Sequence, residues 1–208
     1  MNLEKSIINP GHFGSSSQNI KIIKNFIDLK DLKIIQNFLP TINEWVEAGE
    51  NKYSEDGTCI YDASYWEKRQ CSHDILLKIN KNIYFLIYKY IKKMQLFLQD
   101  EFKVKLLIRP PVIIRWFPGI EQKPHADKQL NDGSPNPFPT YDLNSLLYYN
   151  DQFDGGELYY PQHDIEIKPE PGLAVAHPGD TYYLHGVKMV TNGERYTTPS
   201  FYTITNLD

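Results

Sequence analysis

The chain has 208 residues, a formal net charge of −4 and two cysteines. That length allows one good core, or one core with an appended helical layer, so a single domain over residues 1–208 is expected. The acidic balance and the absence of a basic run argue against a phosphate backbone as partner, and no apolar run approaches a membrane span, so neither nucleic acid nor membrane is expected.

Residues 1–19 are polar and carry Gly11, Gly14 and the Ser15-Ser16-Ser17 run, the composition of a loose N-terminal arm in which His12 is solvated. The first residues lack a basic and then apolar leader, and Cys59 and Cys71 do not make a disulfide scaffold. Together these point to a reduced cytoplasm, with spacing alone leaving open whether the two thiols pair.

Residues 20–102 read as a helical buttress. Ile20 to Phe26 has the pattern of an edge strand. Asp28 can cap a helix that sets Leu29, Leu32, Ile35 and Leu39 on one side and ends at Pro40. Residues 41–66 lack a sustained period and predict a loop-rich excursion, whose tyrosines and Trp66 either line a cleft or anchor the loop to the core. Ile75, Ile79, Ile83, Leu86, Tyr90, Met94 and Phe97 then recur at helical spacing and predict one long helix packed on a sheet, with His73 exposed at its start.

From Lys103 the period changes to that of strands. Leu106 to Ile108 leads to a break at Pro110-Pro111, then Val112 to Phe117 and a turn at Pro118-Gly119. Asn131 to Pro139 has the composition of an adaptable loop, a natural lid that could be trimmed without harm to metal binding. Further strands are predicted at Ser145–Asn150, Glu157–Tyr160, Asp164–Lys168, Leu173–His177, Tyr182–Val187 and Tyr196–Ile204. Many short strands separated by turn signals mean a sandwich or barrel.

The chemistry begins at Lys123-Pro124-His125-Ala126-Asp127. On a strand, residues two apart leave the same face, so the His125 imidazole and the Asp127 carboxylate can bind one cation. Two histidines and one carboxylate make the facial set of non-haem Fe(II) oxygenases, with coordination positions left open for a bidentate co-substrate and for O2. His185, in Tyr183-Leu184-His185-Gly186-Val187, supplies the third ligand, and Arg195 ten residues later is a permanent cation suited to a carboxylate.

The order His125-x-Asp127, then Asp154-Gly155-Gly156-Glu157-Leu158, His185-Gly186-Val187 and Gly193-Glu194-Arg195-Tyr196 resembles the 2-oxoglutarate/Fe(II) dioxygenases, in the prolyl 4-hydroxylase-like branch. The resemblance covers the second half of the chain well and the first half loosely. It implies a mainly β, α+β architecture: a double-stranded β-helix, or jelly roll, over residues 103–208, with the N-terminal helices packed on the larger sheet. It implies Fe(II) held by His125, Asp127 and His185. It also implies 2-oxoglutarate with its distal carboxylate on Arg195, O2 as oxidant, and ascorbate as an auxiliary.

Within the resemblance, Tyr148 matches the tyrosine that hydrogen-bonds the distal carboxylate, and alternation puts Leu146, Tyr148 and Asn150 on one face. Trp116 stands where many prolyl 4-hydroxylases place a pocket-lining tyrosine, and Thr197 adds a hydroxyl. His177 is the rival distal ligand. It is set aside because it occupies a place where relatives carry an aromatic residue, while His185-Gly186-Val187 followed by Arg195 fits the distal motif. His163 reads as a solvated turn residue, and the paired glycines Gly155 and Gly156 as a tight reversal that places the neighbouring strand.

The implied activity is that of a procollagen-proline-type or related prolyl hydroxylase acting on a proline-containing peptide or protein. Oxidative decarboxylation of 2-oxoglutarate to succinate and CO2 would be coupled to substrate hydroxylation. A free amino acid or other small molecule is the alternative substrate. A non-catalytic jelly-roll binding module is the alternative of another class, distinguished by an incomplete ligand set.

Overall fold

The computed structural model describes residues 11–47, 49–53, 57–134 and 136–207. Residues 1–10 of the expected arm and Pro135 of the expected lid lie outside them. The helices are α1 (Leu29–Phe38), α2 (His73–Ile79) and α3 (Lys81–Phe102). The N-terminal half contributes strands β1 (Lys21–Ile23), β2 (Lys52–Tyr53), β3 (Cys59–Tyr61) and β4 (Gln70–Cys71). The rest of the chain adds β5 (Val104–Ile108), β6 (Ile113–Trp116), β7 (Gln122–His125), β8 (Leu143–Tyr148), β9 (Phe153–Gly155) and β10 (Leu158–Tyr160). It continues with β11 (Ile165–Ile167), β12 (Ala174–Pro178), β13 (His185–Val187), β14 (Val190–Gly193) and β15 (Arg195–Leu207).

The larger sheet runs β1-β12-β8-β15-β6-β4, with β5 paired to the C-terminal part of β15, and the smaller runs β11-β10-β13-β7. All of these pairings are antiparallel. The fold is a jelly roll with N-terminal helices on the outer face of the larger sheet, as the motifs led one to expect.

Both faces of the larger sheet are buried, and strict alternation decides which residue goes where. In β8, Leu143 and Leu147 face α1 and α3 in one core with Leu32, Ile35, Tyr90 and Met94. Leu146 and Tyr148 face the smaller sheet in a second core with Trp116, Leu158 and Val187. In β15, Tyr196, Tyr202 and Ile204 join the helical side, while Arg195, Thr197, Pro199 and Phe201 line the space between the sheets. A proline is tolerated in so central a strand because β6 pairs only as far as Thr197 and β5 only from Tyr202, so Pro199 has β8 alone beside it.

Several expectations change. The long helix is two helices, because Asn80 leaves helical geometry (φ −156°, ψ 90°) and caps α3 by accepting the Ile83 N–H at 3.1 Å. The restart shifts the buried stripe to Ile83, Ile87, Tyr90, Ile91, Met94 and Leu98, leaving Leu86 and Phe97 half-buried. Leu29 is 66% exposed and stands off the α1 stripe. From Gly11 onward the arm is tied down rather than loose: the Gly11 N–H donates to Asp180 Oδ2, and Phe13 packs edge-on against Phe102. β4, from the stretch read as helical, extends one edge of the larger sheet, while β1 forms the other edge, where Ile20 to Phe26 has the pattern of an edge strand. Cys59 and Cys71 are both free, and burial pushes the Cys71 thiol up to about 12.

Candidate active site

His125 ends β7 and stands directly opposite His185 on β13, so both imidazoles leave the smaller sheet toward the larger one. Their ring centroids are 4.5 Å apart. Asp127 lies just past the end of β7, not on the strand as its spacing implied, and its placement comes from four other contacts. Its Oδ1 is 3.7 Å from His125 Nε2 and its Oδ2 is 3.5 Å from His185 Nε2. Asn144, at the start of β8, donates its amide to Asp127 Oδ2 at 2.6 Å, and Asn136 donates to the Asp127 carbonyl at 2.8 Å.

Ligand atoms of His125, Asp127 and His185 lie within 4.8 Å of one another, close enough to hold one ion. Two imidazole nitrogens and one carboxylate oxygen suit a divalent transition metal and leave room for further ligands. Burial alone would raise the Asp127 carboxyl, but His185 and His125 more than offset it and hold that group well below the usual carboxylate range. Burial pushes His185 down to about 3, so its Nε2 is a free lone pair at neutral pH. For His125 burial acts in the same sense, but the Asp127 hydrogen bond and charge prevail and raise it.

Arg195 begins β15 opposite Trp116 and is fully buried. Its guanidinium lies over the rings of Trp116 and Tyr148, at 5.0 and 5.1 Å from their centroids. None of its three nitrogens has a hydrogen-bond partner among the described residues, and neither do the Tyr148 hydroxyl and the Trp116 indole nitrogen. A buried cation with no anion is costly, by several kcal/mol. Arg195 and Thr197 line the same cavity of about 100 Å³ as the triad. A carboxylate donor-acceptor match at Arg195 and Tyr148 therefore fits the groups present. Gly156, at φ +70°, lets this happen, since a Cβ there would stand 2.9 Å from Arg195 Cδ.

The structure thus brings His125, Asp127, His185, Arg195, Trp116 and Thr197 to the wall of one cavity, with the Tyr148 ring packed against the Arg195 guanidinium. Asn150 does not join them. Its side chain bridges the backbone, donating to the Glu194 carbonyl and accepting the Tyr196 N–H. His163 is not simply solvated, because it stacks on Tyr183 with centroids 5.3 Å apart.

Sequence reasoning missed Asn144, which alternation would have found had β8 been started at Leu143. It missed Gln122, whose amide is 3.1 Å from His125 Nε2. It also missed Arg69, a buried guanidinium stacked against Tyr65 and Trp116 at 4.2 and 4.5 Å. Trimming Asn131 to Pro139 would also remove Asn136, and with it the hydrogen bond to the Asp127 carbonyl.

A jelly roll thus holds a convergent His-Asp-His set and a buried arginine in one cavity. No family model matches the chain. Among curated proteins, mouse prolyl 3-hydroxylase 2 is 36% identical over 92 residues, covering 38% of this chain and 13% of that protein. A PKHD-type hydroxylase from Sphingopyxis alaskensis is 32% identical over 108 residues, covering 49% of this chain and 47% of that protein. The chain therefore spans less than half the length of these relatives. In fold it is similar to the viral collagen prolyl hydroxylase of Paramecium bursaria chlorella virus-1, solved with 2-oxoglutarate. That likeness has a TM-score of 0.64 and 15% identity, and covers 92% of this chain and 99% of that one. In sequence and fold, the chain is similar to prolyl hydroxylases of the 2-oxoglutarate/Fe(II) oxygenase family.

Proposed function

We propose that the chain is a single-domain Fe(II)- and 2-oxoglutarate-dependent hydroxylase of peptidyl proline, with residues 20–102 buttressing a catalytic core over 103–208. One observation carries the reading: a fully buried arginine without a counter-ion among the described residues shares a cavity with a convergent two-histidine, one-carboxylate set. His125, Asp127 and His185 would hold the iron. Arg195 would take the distal carboxylate of 2-oxoglutarate, with Tyr148 and Thr197 offering hydroxyls and Trp116 forming the wall. Bound iron supplies the redox chemistry by which O2, 2-oxoglutarate and a substrate C–H become succinate, CO2 and an alcohol. The cavity's apolar lining excludes bulk water and strengthens the Arg195–carboxylate attraction. Among the similar proteins are prolyl hydroxylases, which supports proline as the target.

The test supplies iron, 2-oxoglutarate and ascorbate with a proline-rich peptide library, then measures succinate and a mass gain of one oxygen. Both are expected with the parent chain. Both should vanish in His125→Ala and Asp127→Ala, which stay folded. Succinate production unchanged in either variant rules out the ligand assignment.

A further inference from the structure

The proposed reaction uses two histidines of the cavity and leaves a third unexplained. His177, on β12, is 1% exposed, and its ring centroid is 4.3 Å from that of His185. The register of β12 with β8 sets His177 directly opposite Asn144, so both side chains leave the sheet on one face, and both line the cavity.

The hydrogen-bonding identity of each is decided by a neighbour. His177 Nδ1 lies 2.9 Å from the Pro178 carbonyl oxygen. A carbonyl only accepts, so Nδ1 carries the hydrogen and Nε2 presents a lone pair. Asn144 Nδ2 donates to the Asp127 carboxylate, which also only accepts, so the amide cannot be turned round. Asn144 Oδ1 is thereby left buried with no hydrogen-bond partner among the described residues. His177 Nε2 makes no hydrogen bond to them either.

Two bare acceptors on a cross-strand pair match the two hydrogens of one water molecule. We propose that His177 and Asn144 together seat a water beside the His125-Asp127-His185 set, which makes His177 a positioning residue of the metal centre. This rests on the metal-binding reading of that set. A water that donates both hydrogens to the pair keeps its oxygen lone pairs for a cation. Its hydrogen bond to Asn144 also steadies the amide that orients Asp127. His177 therefore acts on the metal through solvent, in the way that outer hydrogen-bond partners tune the ligands they support.

Cobalt(II) alone, added to the full chain without 2-oxoglutarate, tests the proposal through its affinity and its visible absorption. His125→Ala abolishes the signal if it reports the triad. His177→Phe keeps a flat ring and removes the acceptor, and is expected to weaken cobalt binding by on the order of tenfold and to alter the absorption band. His177→Gln, whose Oε1 has about the reach of Nε2, is expected to restore most of the affinity. Should His177→Phe fail to fold, His177→Leu takes its place as the variant without an acceptor. Parent-like affinity in the acceptor-free variant overturns the proposal. So does an equal loss in that variant and in His177→Gln when both melt like the parent, because shape and not the lone pair would then matter. An unaltered signal in His125→Ala overturns the metal-binding reading itself, and the inference with it.

Discussion

The orientation of each ligand imidazole is decided two residues upstream of it. His125 Nδ1 is 2.9 Å from the Lys123 carbonyl and His185 Nδ1 is 3.2 Å from the Tyr183 carbonyl, so both Nε2 atoms turn to Asp127. The triad was legible from the constellation of His125-x-Asp127, His185-Gly186-Val187 and Arg195, because His-x-Asp alone arises often by chance. The amides that place Asp127 were not, because asparagine and glutamine recur in loops and carry no period. Asn136→Ala frees the Asp127 backbone and is expected to weaken metal affinity by roughly tenfold with little change in melting temperature, as read by cobalt titration. Gly156→Ala adds a methyl at a positive φ and against Arg195 Cδ. It is expected to cost about 1–2 kcal/mol in urea unfolding and to weaken 2-oxoglutarate binding in calorimetry. Unchanged co-substrate affinity there would count against Arg195 as its anchor.

At the scale of elements, most strands were readable from period and turn residues, whereas helix phase was not. An apolar stripe runs through Ile75 and Ile79 into Ile83, and only the cap made by Asn80 shows that the helix restarts between them. The edge contributed by β4 was hidden for another reason: it is two residues long and the partner that completes it, β6, lies some forty residues further along the chain. The tie between α1 and α3 depends on charge. Asp31 Oδ2 accepts from Lys89 Nζ and from the Tyr90 hydroxyl, each at 2.7 Å. Those bonds, Lys89 foremost, hold its carboxyl below the ordinary value. A depressed folded value contributes stability that is full above the unfolded pKa and is lost as pH falls through the folded one. Asp31→Asn is therefore expected to melt a few degrees below the parent at pH 7, with the gap closing below about pH 4. A gap that persists unchanged at pH 2.5 would show that the charge contributes nothing.

For the molecule as a whole, the segment carrying Asp127 is fastened to the larger sheet by one buried ion pair. Lys128 Nζ meets Asp142 Oδ1 at 2.5 Å, the other Asp142 oxygen accepts the Ile204 N–H, and Gly179 bonds the backbone of both residues. Asp142→Asn leaves a buried cation and is expected to cost roughly 3–5 kcal/mol in urea unfolding. A loss below 1 kcal/mol would mean that the pair is dispensable. β15 then has the longest reach of any strand. Its inner face carries Arg195, Thr197, Pro199 and Phe201, and register sets Thr197 beside Tyr148 and Phe201 beside Asn144. These are rungs, spaced about 6.7 Å apart along the strand. A slip of one residue would turn every rung outward, so the backbone can change the span between Arg195 and the His-Asp-His set only by a whole rung. A diacid longer by one methylene falls between rungs, and nothing but the side chain at position 195 can absorb the difference. In the proposed function, selectivity for co-substrate length would therefore be stepped rather than graded, and replacing the long guanidinium with a shorter cation is the change that would admit the longer acid.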